Sequence, residues 1–588
     1  MIRQIILYLL LLLGATFAQA GVLVDLNFDS TRLIEQKAIL ESISLYRQRD
    51  STLLTERYIK RLQQKGITEI KAALQTFSYY QPEIETQLST DETEADGQQS
   101  WKVVYNIRLG APLRVKQVDI TILGGGENDK AIRQWVNDYP LTVNAPLIHA
   151  TYETAKKSLL RHLQDRGYFK YVLETHQIRV NLKDYYAEIV LKVNSGPRFV
   201  FGNIDFKQDI FAIDYLERFL PFTPGAPFES SLLQILQRNF VNSAQFDLVE
   251  IEPKISEING TAVPIQVRLV PKKRTRYAFG LGFGTDTGPR ALFNIDRRYV
   301  NKKGHRMGLE TLASGVKMFA KVNYHIPLKE PASDYLTYSA SRTIEDNDTS
   351  YNQTNSVALN INHLFNRWRQ SLGLSYETER FEVGEDSGES ELLIPSITWQ
   401  YSSDPESKPR STTPTRPLSG KFGITLKGAG TFFVSDTSFV QTLMNFKLRL
   451  RLAEPLSLVG RATIGMSTTP DFEELPASLR FFAGGDQSIR GFRFNSLGPT
   501  DKNGDTIGGE NLLVGSLEVQ YKFTKNWDLA SFIDAGNAFD KNQIKVEQGL
   551  GLGAGWRFPF GTLRLYAANA FSKDNRPWRF HLLVGAEL

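Results

Sequence analysis

Three charged residues late in the sequence are the side chains best placed to do chemistry. Arg490 lies in FFAGGDQSIRGFRF (481–494), a stretch that contains too much glycine for a helix. Glu518 occupies a polar position in the alternating segment SLEVQYKF, and Asp534 does so in SFIDAGNAF. A guanidinium is always charged, planar and forked, so it suits pairing with carboxylates. We therefore expect these three residues to form an ion-paired cluster.

Residue sets required by most enzymes and metal sites are missing from the sequence. There is no cysteine, and the seven histidines are scattered without a His-Glu-x-x-His motif. The glycine strings at 280–284 and 549–555 alternate with Leu and Phe and open no helix, unlike a phosphate-binding loop. The calcium-like segment that begins at Asp501 has Thr506 at its sixth position, where glycine is needed, and Leu512 at its twelfth, where glutamate is needed. We expect a protein that is not an enzyme, without cofactor, metal or nucleic acid.

The N-terminus predicts export. Arg3 precedes the apolar run IILYLLLLLGATFA, and Ala18-Gln19-Ala20 forms a cleavage site, so residues 1–20 are interpreted as a signal peptide. A retained anchor helix is the alternative, but the run is short for a membrane span. No later stretch approaches about eighteen continuous apolar residues, so any further crossing has to use strands closed into a barrel.

Residues 21–273 repeat one pattern three times, which predicts tandem α+β modules over 21–112, 113–196 and 197–273. Each module has apolar residues at helical spacing: Ile67, Ile70, Leu74 and Phe77; Ala155, Leu159 and Leu163; Leu233, Leu236 and Phe240. Each closes on an alternating strand, which ends at Leu109, Val193 or Leu269. The sheet edges of such modules can capture another chain by strand addition, so we expect them to bind polypeptide.

From residue 274 to 588 the helical period disappears and apolar residues alternate with polar or small ones. A β-sandwich also alternates, but its domains are nearer about 100 residues long. Together with the export signal, the aromatic strands favour a transmembrane β-barrel of roughly sixteen antiparallel strands in the outer membrane. The basic cluster at 272–274 fits either a solvated linker or contact with anionic lipid head groups.

A barrel gives the three charged residues a common location, since polar positions of the strands face the lumen. Glu518 and Asp534 then need a cationic partner, and we predict a loop folded into the lumen with Arg490 between them. The flanking residues are expected to support this loop: Ile489, Gly491 and Phe492 in the loop, and Phe532 and Gly536 beside Asp534. The alternative is a solvated extracellular hairpin.

Several of these segments resemble the Omp85 superfamily. SIRGF resembles its Arg-Gly-Phe/Tyr loop motif, FIDAG its Phe-x-Asp-x-Gly strand motif, and GGENLLVGSLE the segment that ends in its lumenal glutamate. The three N-terminal modules look like POTRA domains. The number of modules, RFFAGGDQSIRG at 480–491 and the ending GAEL are most similar to the translocation and assembly module branch of that superfamily. An ending in Leu588 departs from the aromatic terminus of many barrel proteins.

The resemblance implies a sixteen-stranded barrel that helps insert or secrete unfolded outer-membrane protein clients, including autotransporters. It also implies a TamB-like, inner-membrane-anchored partner that spans the periplasm, and a role in moving phospholipid among outer-membrane lipids. Two alternatives are export through the lumen, as in two-partner secretion transporters, and a passive porin. Two-partner secretion transporters typically have two POTRA units and a plug helix, whereas this sequence has three repeated modules. A passive porin has no function that requires tandem periplasmic modules.

Glycines in the first barrel strand suggest where a client would enter. In a closed barrel YAFGLGFG pairs with RFHLLVGAEL, and residues without side chains weaken that pairing. We predict a lateral seam that parts to admit a client strand; glycines that only accommodate curvature are the alternative. The residues assigned to this seam are Gly280, Gly282, Gly284, Leu582, Val584 and Leu588.

Overall fold

The computed structural model describes residues 22–29, 36–51, 54–92, 99–403, 417–540 and 545–585. The predicted signal peptide and Leu588 lie outside the described residues. No helix in the described part of the chain has the length and hydropathy of a membrane span.

The chain divides into two compact units. The first contains residues up to Asn203 with Thr223–Leu232 and Pro253–Ile265, and the second contains Ile204–Phe222, Leu233–Glu252 and the chain from Gln266 onward. The third predicted module therefore contributes segments to both units.

The first module is a three-stranded sheet covered by helices. Its elements are β1 (Val22–Phe28), α1 (Gln36–Ser42), α2 (Ser44–Arg47), α3 (Glu56–Gln75), β2 (Glu83–Glu92) and β3 (Gln99–Arg108). The sheet order is β1-β3-β2. Helix α3 starts where the Thr55 side chain accepts a hydrogen bond from the backbone N–H of Tyr58. Its buried face, with Ile70 and Leu74, packs in one core with Tyr105 of the central strand.

The second module repeats this arrangement. Its elements are β4 (Arg114–Leu123), α4 (Lys130–Asn137), α5 (His149–Asp165), β5 (Val172–Asn181) and β6 (Tyr186–Asn194), and the sheet order is β4-β6-β5. The predicted helical residues Ala155, Leu159 and Leu163 are all buried on α5.

A third sheet has the same order. Its elements are β7 (Val200–Lys207), α6 (Ile213–Glu217), α7 (Ser230–Asn242), β8 (Phe246–Pro253) and β9 (Ala262–Pro271), arranged β7-β9-β8. The predicted closing strand of each module is thus the central strand of its sheet. This position explains its apolar sequence, because a central strand is hydrogen-bonded on both edges and buried beneath the helices.

The rest of the chain forms a closed antiparallel barrel of sixteen strands, which confirms the predicted fold class. The strands are β10 (Thr275–Gly284), β11 (Gly288–Arg297), β12 (Arg306–Ser314), β13 (Lys317–Pro327), β14 (Asp334–Asp346), β15 (Ser350–Phe365), β16 (Trp368–Val383), β17 (Asp386–Ser402), β18 (Leu418–Ala429), β19 (Phe439–Arg451), β20 (Leu456–Thr468), β21 (Asn511–Lys522), β22 (Trp527–Phe539), β23 (Glu547–Phe558), β24 (Gly561–Ala570) and β25 (Trp578–Gly585).

Apolar side chains on the outer surface of the barrel are exposed. Tyr277, Phe279 and Leu281 of β10 are each about two-thirds accessible, as expected for side chains that face lipid rather than a protein core. Polar side chains such as Asn352, Gln441 and Ser516 are buried on the inner face. The period-two alternation therefore decides which residues enter the lumen.

Candidate functional site

The segment between β20 and β21 folds into the barrel lumen. Its apolar side chains form one buried cluster with residues of the barrel wall: Phe481, Ala483, Ile489, Phe492 and Leu497 from the loop, and Leu512, Val514, Ala538 and Ala570 from the strands. Backbone bridges between Phe481 and Gly509 and between Ala483 and Leu497 draw the two ends of this segment together. The loop is thus packed as a core element rather than as a solvated hairpin.

Arg490 forms a two-pronged ion pair with Asp534. Its Nε donates to Asp534 Oδ2 at 2.7 Å, and its Nη2 donates to Oδ1 at 2.8 Å. The backbone N–H of Arg490 also donates to Oδ2, at 3.0 Å. The Arg490 and Asp534 side chains are 1% and 0% exposed, so water does not screen the pair.

Glu518 is the second carboxylate at this guanidinium. Arg490 Nη1 donates to Glu518 Oε2 at 2.6 Å, and Nη2 donates to Ser516 Oγ at 3.2 Å. Ser516 lies directly opposite Asp534 in the pairing of β21 with β22, and Glu518 lies two positions farther on the same face. The strand register alone therefore presents both carboxylates to one point in the lumen.

Two aromatic rings lie against the same guanidinium. The Arg490 Cζ is 3.5 Å from the centroid of the Phe532 ring and 4.7 Å from that of Tyr566. The Tyr566 hydroxyl donates toward Glu518 at 3.3 Å from Oε2. The Arg490 guanidinium thus exchanges water for three charged or hydroxyl partners, Asp534, Glu518 and Ser516, and two π faces, which is the condition under which a charge is stable in a buried site.

Glycines provide the space that this loop needs. Gly491 has φ +99°, in the region that side chains other than glycine rarely adopt, and its N–H donates to His581 Nε2 at 3.0 Å. Gly549 of β23 faces the loop so closely that a Cβ there would lie 2.0 Å from the Arg490 carbonyl oxygen. Gly536 has φ +150°, and a Cβ there would lie 2.0 Å from the Leu513 carbonyl oxygen.

Arg480, at the start of the loop, is a buried side chain that makes a second ion pair, which was not predicted from the sequence. Its Nη1 donates to Asp386 Oδ2 at 2.8 Å, and Nε and Nη2 donate to the carbonyls of Leu475 and Glu473, both at 2.8 Å. The side chain is 0% exposed. The signal in the sequence was an arginine followed directly by two phenylalanines, Phe481 and Phe482.

Asp286, in the turn after β10, joins three parts of the barrel. Its Oδ1 accepts a hydrogen bond from Arg579 of β25 at 3.0 Å, and its Oδ2 accepts one from the backbone N–H of Asp486 at 2.6 Å. His581 of β25 lies near the same carboxylate, with Nδ1 3.7 Å from Oδ2. The first hairpin, the last strand and the lumenal loop therefore meet at one buried carboxylate. None of these residues was predicted from the sequence to form a site.

The pairing of β10 with β25 is short within the described residues. It comprises Phe283 with Val584 and Gly284 with Leu583. Thr285 adds a backbone hydrogen bond to the Leu582 carbonyl at 3.0 Å. By comparison, β24 pairs with β25 from Thr562 to Asn569.

The three seam glycines have different surroundings. A Cβ on Gly282 would lie 2.7 Å from the Val584 carbonyl oxygen, and one on Gly284 would lie 2.7 Å from Thr287 Oγ1. A Cβ on Gly280 would meet only Leu292, at 3.7 Å, an ordinary contact. Gly282 is thus the glycine that the close approach of β25 requires.

The structure therefore brings together Arg490, Glu518, Asp534 and Phe532, with Gly491 and Phe492 supporting the loop. Of the predicted seam residues, Gly284 and Val584 belong to described pairs, Leu582 bonds to Thr285, and Leu588 lies outside the described residues. Within the described ranges, no group of three or more His, Asp or Glu side chains has an arrangement suited to a metal ion. The arrangement holds the loop in place.

Comparison with known proteins identifies the two parts of the chain. Residues 300–587 match the Omp85 superfamily domain, and residues 35–109 match the POTRA domain of the type called TamA domain 1.

Curated relatives match over limited stretches. Outer membrane protein assembly factor BamA of Nitratidesulfovibrio vulgaris is 31% identical over 137 residues, which is 22% of this chain and 17% of that protein. Sorting and assembly machinery component 50 homolog of Mus musculus is 30% identical over 186 residues, which is 30% of this chain and 37% of that protein. The matched part is thus well under half the length of each relative.

A solved structure shares the fold. The structure of BamA from Haemophilus ducreyi lacking POTRA domains 1–3 aligns with a TM-score of 0.63 and 19% identity, over 79% of this chain and 99% of that chain. The barrel lies in the outer membrane and the POTRA region in the periplasm. The chain therefore carries an outer-membrane barrel domain of the Omp85 superfamily, preceded by a POTRA domain of the TamA type.

Proposed function

We propose that this protein is the outer-membrane component of a translocation and assembly module, which assists insertion or secretion of other outer-membrane proteins such as autotransporters. The TamA-type POTRA match and the Omp85 domain match support this assignment. The names of the two curated relatives, outer membrane protein assembly factor BamA and sorting and assembly machinery component 50 homolog, agree with it.

The observation that carries the proposal is the short seam between β10 and β25. The described pairs are Phe283 with Val584 and Gly284 with Leu583, and Gly282 contributes no side-chain packing beside them. Each lost strand pair removes backbone hydrogen bonds and cross-strand contacts, so the described pairing of β10 with β25 is less costly to separate than the longer pairing of β24 with β25. A client strand that adds to the freed edge of β10 or β25 restores those hydrogen bonds.

The lumenal loop favours lateral entry over export through the pore. The loop fills space inside the barrel and is fixed there by the buried pairs of Arg490 and Arg480. Export through the lumen, the alternative seen in two-partner secretion, requires both pairs to separate, and separating the fully buried Arg490 pairs costs several kcal/mol. Lateral entry leaves both pairs intact.

The periplasmic modules act before the barrel in this scheme. Their three-stranded sheets have free edges on which an unfolded client can form a strand, and a TamB-like partner anchored in the inner membrane delivers the client or phospholipid to them. The sheet order leaves β2, β5 and β8 at an edge of their sheets.

An engineered disulfide tests the seam. The sequence has no cysteine, so Phe283→Cys with Val584→Cys adds the only pair. Directly opposed residues of an antiparallel pair have Cα atoms about 4.5–5.5 Å apart, within the range of a disulfide. The oxidised variant should lose client assembly in reconstituted membranes, and reduction should restore it.

The matched control is Leu563→Cys with Val584→Cys, which joins β24 to β25 at another directly opposed pair. This disulfide shares one cysteine with the test variant but leaves the seam free, so assembly should remain at the wild-type level. Full activity of the oxidised seam variant contradicts lateral entry. Loss of activity in both variants assigns the effect to rigidity of β25 rather than to the seam.

A further inference from the structure

Three cations lie side by side on the inner wall of the barrel. Lys421 of β18 is directly opposite Lys447 of β19, and Lys447 is directly opposite Arg461 of β20. We call Lys421, Lys447 and Arg461 the cation row. Arg461 faces the lumen, because its Nη2 donates to Ser516 Oγ at 3.2 Å and Ser516 also bonds to Arg490. Directly opposed residues share a face, so the two lysines face the lumen as well.

Like charges in directly opposed positions destabilise a sheet. The same barrel avoids this arrangement elsewhere: Glu310 lies opposite Lys321, and Lys317 lies opposite Glu345. Arg449 adds a further positive charge on the face of Lys447, two positions along β19. The cation row therefore has an energetic cost that the fold itself does not require.

Neighbouring carboxylates neutralise the row only in part, because Asp486 attracts Arg461 but also attracts Arg290 and Arg490. Glu518 is bound to Arg490 and lies 3.4 Å from Arg564, and Asp528 accepts from Arg557 at 3.0 Å. Within the described ranges, Lys421, Lys447, Arg449 and Arg461 make no ion pair. Lys421 and Lys447 are also solvent-exposed in the lumen.

We propose that Lys421, Lys447 and Arg461, with Arg449, form a lumenal binding site for a phosphate group. Neighbouring strands are about 4.8 Å apart, so donors on three strands span about 10 Å. A carboxylate is planar, and the two parallel N–H donors of one arginine are enough to bind it. A phosphate is tetrahedral, so its oxygens can accept hydrogen bonds from several cations that approach from different directions, as in this row. The row lies in the periplasmic half of the lumen, because β18 and β20 begin at their periplasmic ends and Lys421 and Arg461 come early in them.

The phosphate has two possible sources with the same chemistry, a free anion and a lipid head group. The site does not depend on the seam mechanism, because none of its residues lies on β10 or β25. Failure of the seam disulfide test therefore leaves this inference standing, and the reverse also holds.

Stability measurements on the full chain in an uncharged detergent test the site. Inorganic phosphate, compared with chloride at equal ionic strength and neutral pH, should raise the thermal unfolding midpoint of the barrel in proportion to ln(1 + [L]/Kd). Lys447→Gln with Arg461→Gln should unfold at a higher temperature than wild type in chloride, because the repulsion is gone. The same variant should lose the extra stabilisation by phosphate, with apparent affinity at least about tenfold weaker.

The control is Lys317→Gln with Glu345→Gln, which removes a lumenal charge pair of opposite sign and should keep the full phosphate response. General salting effects of phosphate act equally on all three proteins, so they cancel in the comparison. An equal phosphate response in wild type and the Lys447/Arg461 variant overturns the proposal.

Phosphorus NMR line broadening separates the two sources. Inorganic phosphate and a water-soluble short-chain phosphatidylglycerol are titrated separately into wild type and the Lys447/Arg461 variant. Broadening of either probe by wild type that is lost in the variant supports the site, and broadening of the lipid alone assigns a lipid head group. Binding of an acidic peptide without binding of either phosphate probe overturns the proposal, as does broadening that the variant retains.

Discussion

Arg490 and Asp534 are joined by three hydrogen bonds although they lie 44 positions apart in the sequence. Two of the bonds use the guanidinium and one uses the backbone N–H of Arg490, so Asp534 fixes both the side chain and the loop that carries it. Because Asp534 binds both the side chain and the backbone of Arg490, the ion pair holds the loop itself in position.

Replacing Arg490 with Ala should release the loop while the barrel still folds. Two buried carboxylates lose their shared partner, and removing one member of such a set costs about 3–5 kcal/mol. Faster proteinase K cleavage within 481–510 and impaired client assembly are the expected results. Arg493→Ala, at an exposed position of the same loop, should change neither. Wild-type protease resistance of the Arg490→Ala loop would falsify the fastening role.

A glycine substitution tests the same loop without altering any charge. Gly549→Ala places a Cβ 2.0 Å from the Arg490 carbonyl oxygen, so the loop has to move away from β23 at a cost of about 1–3 kcal/mol. Gly515→Ala is the control, because its Cβ would lie 3.9 Å from the nearest atom. We expect faster loop proteolysis in the first variant only. Equal cleavage of both proteins would mean that loop and wall are less closely packed than described.

Replacing Asp286 with Asn should loosen the seam. The change removes the charge that Arg579 and His581 approach and weakens the link between the first hairpin and the last strand. The yield of the Phe283/Val584 disulfide under limiting oxidant reports how often the seam is closed. We expect the Asp286→Asn variant to give a lower disulfide yield than wild type. A roughly tenfold rise in the open fraction of the seam corresponds to about 1.4 kcal/mol. Asp574→Asn, at an exposed position, should leave the yield unchanged, and an unaltered yield in the Asp286 variant refutes the link.

The packing between the first and second modules should weaken as pH falls. His149 Nε2 lies 2.7 Å from the Tyr80 hydroxyl, and the His149 backbone N–H donates to the Thr76 carbonyl at 3.0 Å. Burial lowers the pKa of His149, and this effect outweighs the opposing attraction of Glu153. Because the folded-state pKa is depressed, the neutral form contributes stability that is complete above the ordinary value of about 6.5 and is lost as pH falls below it.

The described α-helices all lie between residues 36 and 242, so circular dichroism at the helical minimum follows the periplasmic modules during urea unfolding. The urea midpoint should be nearly constant between about pH 7 and 8 and fall toward pH 5. His149→Gln, which cannot titrate, should reduce this slope. An unchanged slope would assign the pH dependence to other groups.

Much of the fold was predictable because it follows from local patterns. The period-two alternation from Tyr277 onward predicted the barrel, and helical spacing such as Leu159 with Leu163 predicted the main helices of the modules. The short helices α1, α2, α4 and α6 were not predicted, because a few residues give too little periodicity. The first strand of each module was also not identified, since it lacks a nearby partner strand in the sequence.

The amino-acid sequence by itself determined which faces are apolar and that Glu518, Asp534 and Arg490 are charges in need of partners. Side-chain parity and residue chemistry are local properties, so they can be read from neighbouring positions. Only the tertiary structure decided that Asp286 meets Arg579 and Asp486, that Arg480 meets Asp386, and that Lys421, Lys447 and Arg461 share one row. These relationships depend on strand register and barrel closure, which bring together residues up to 293 positions apart and which no local pattern specifies.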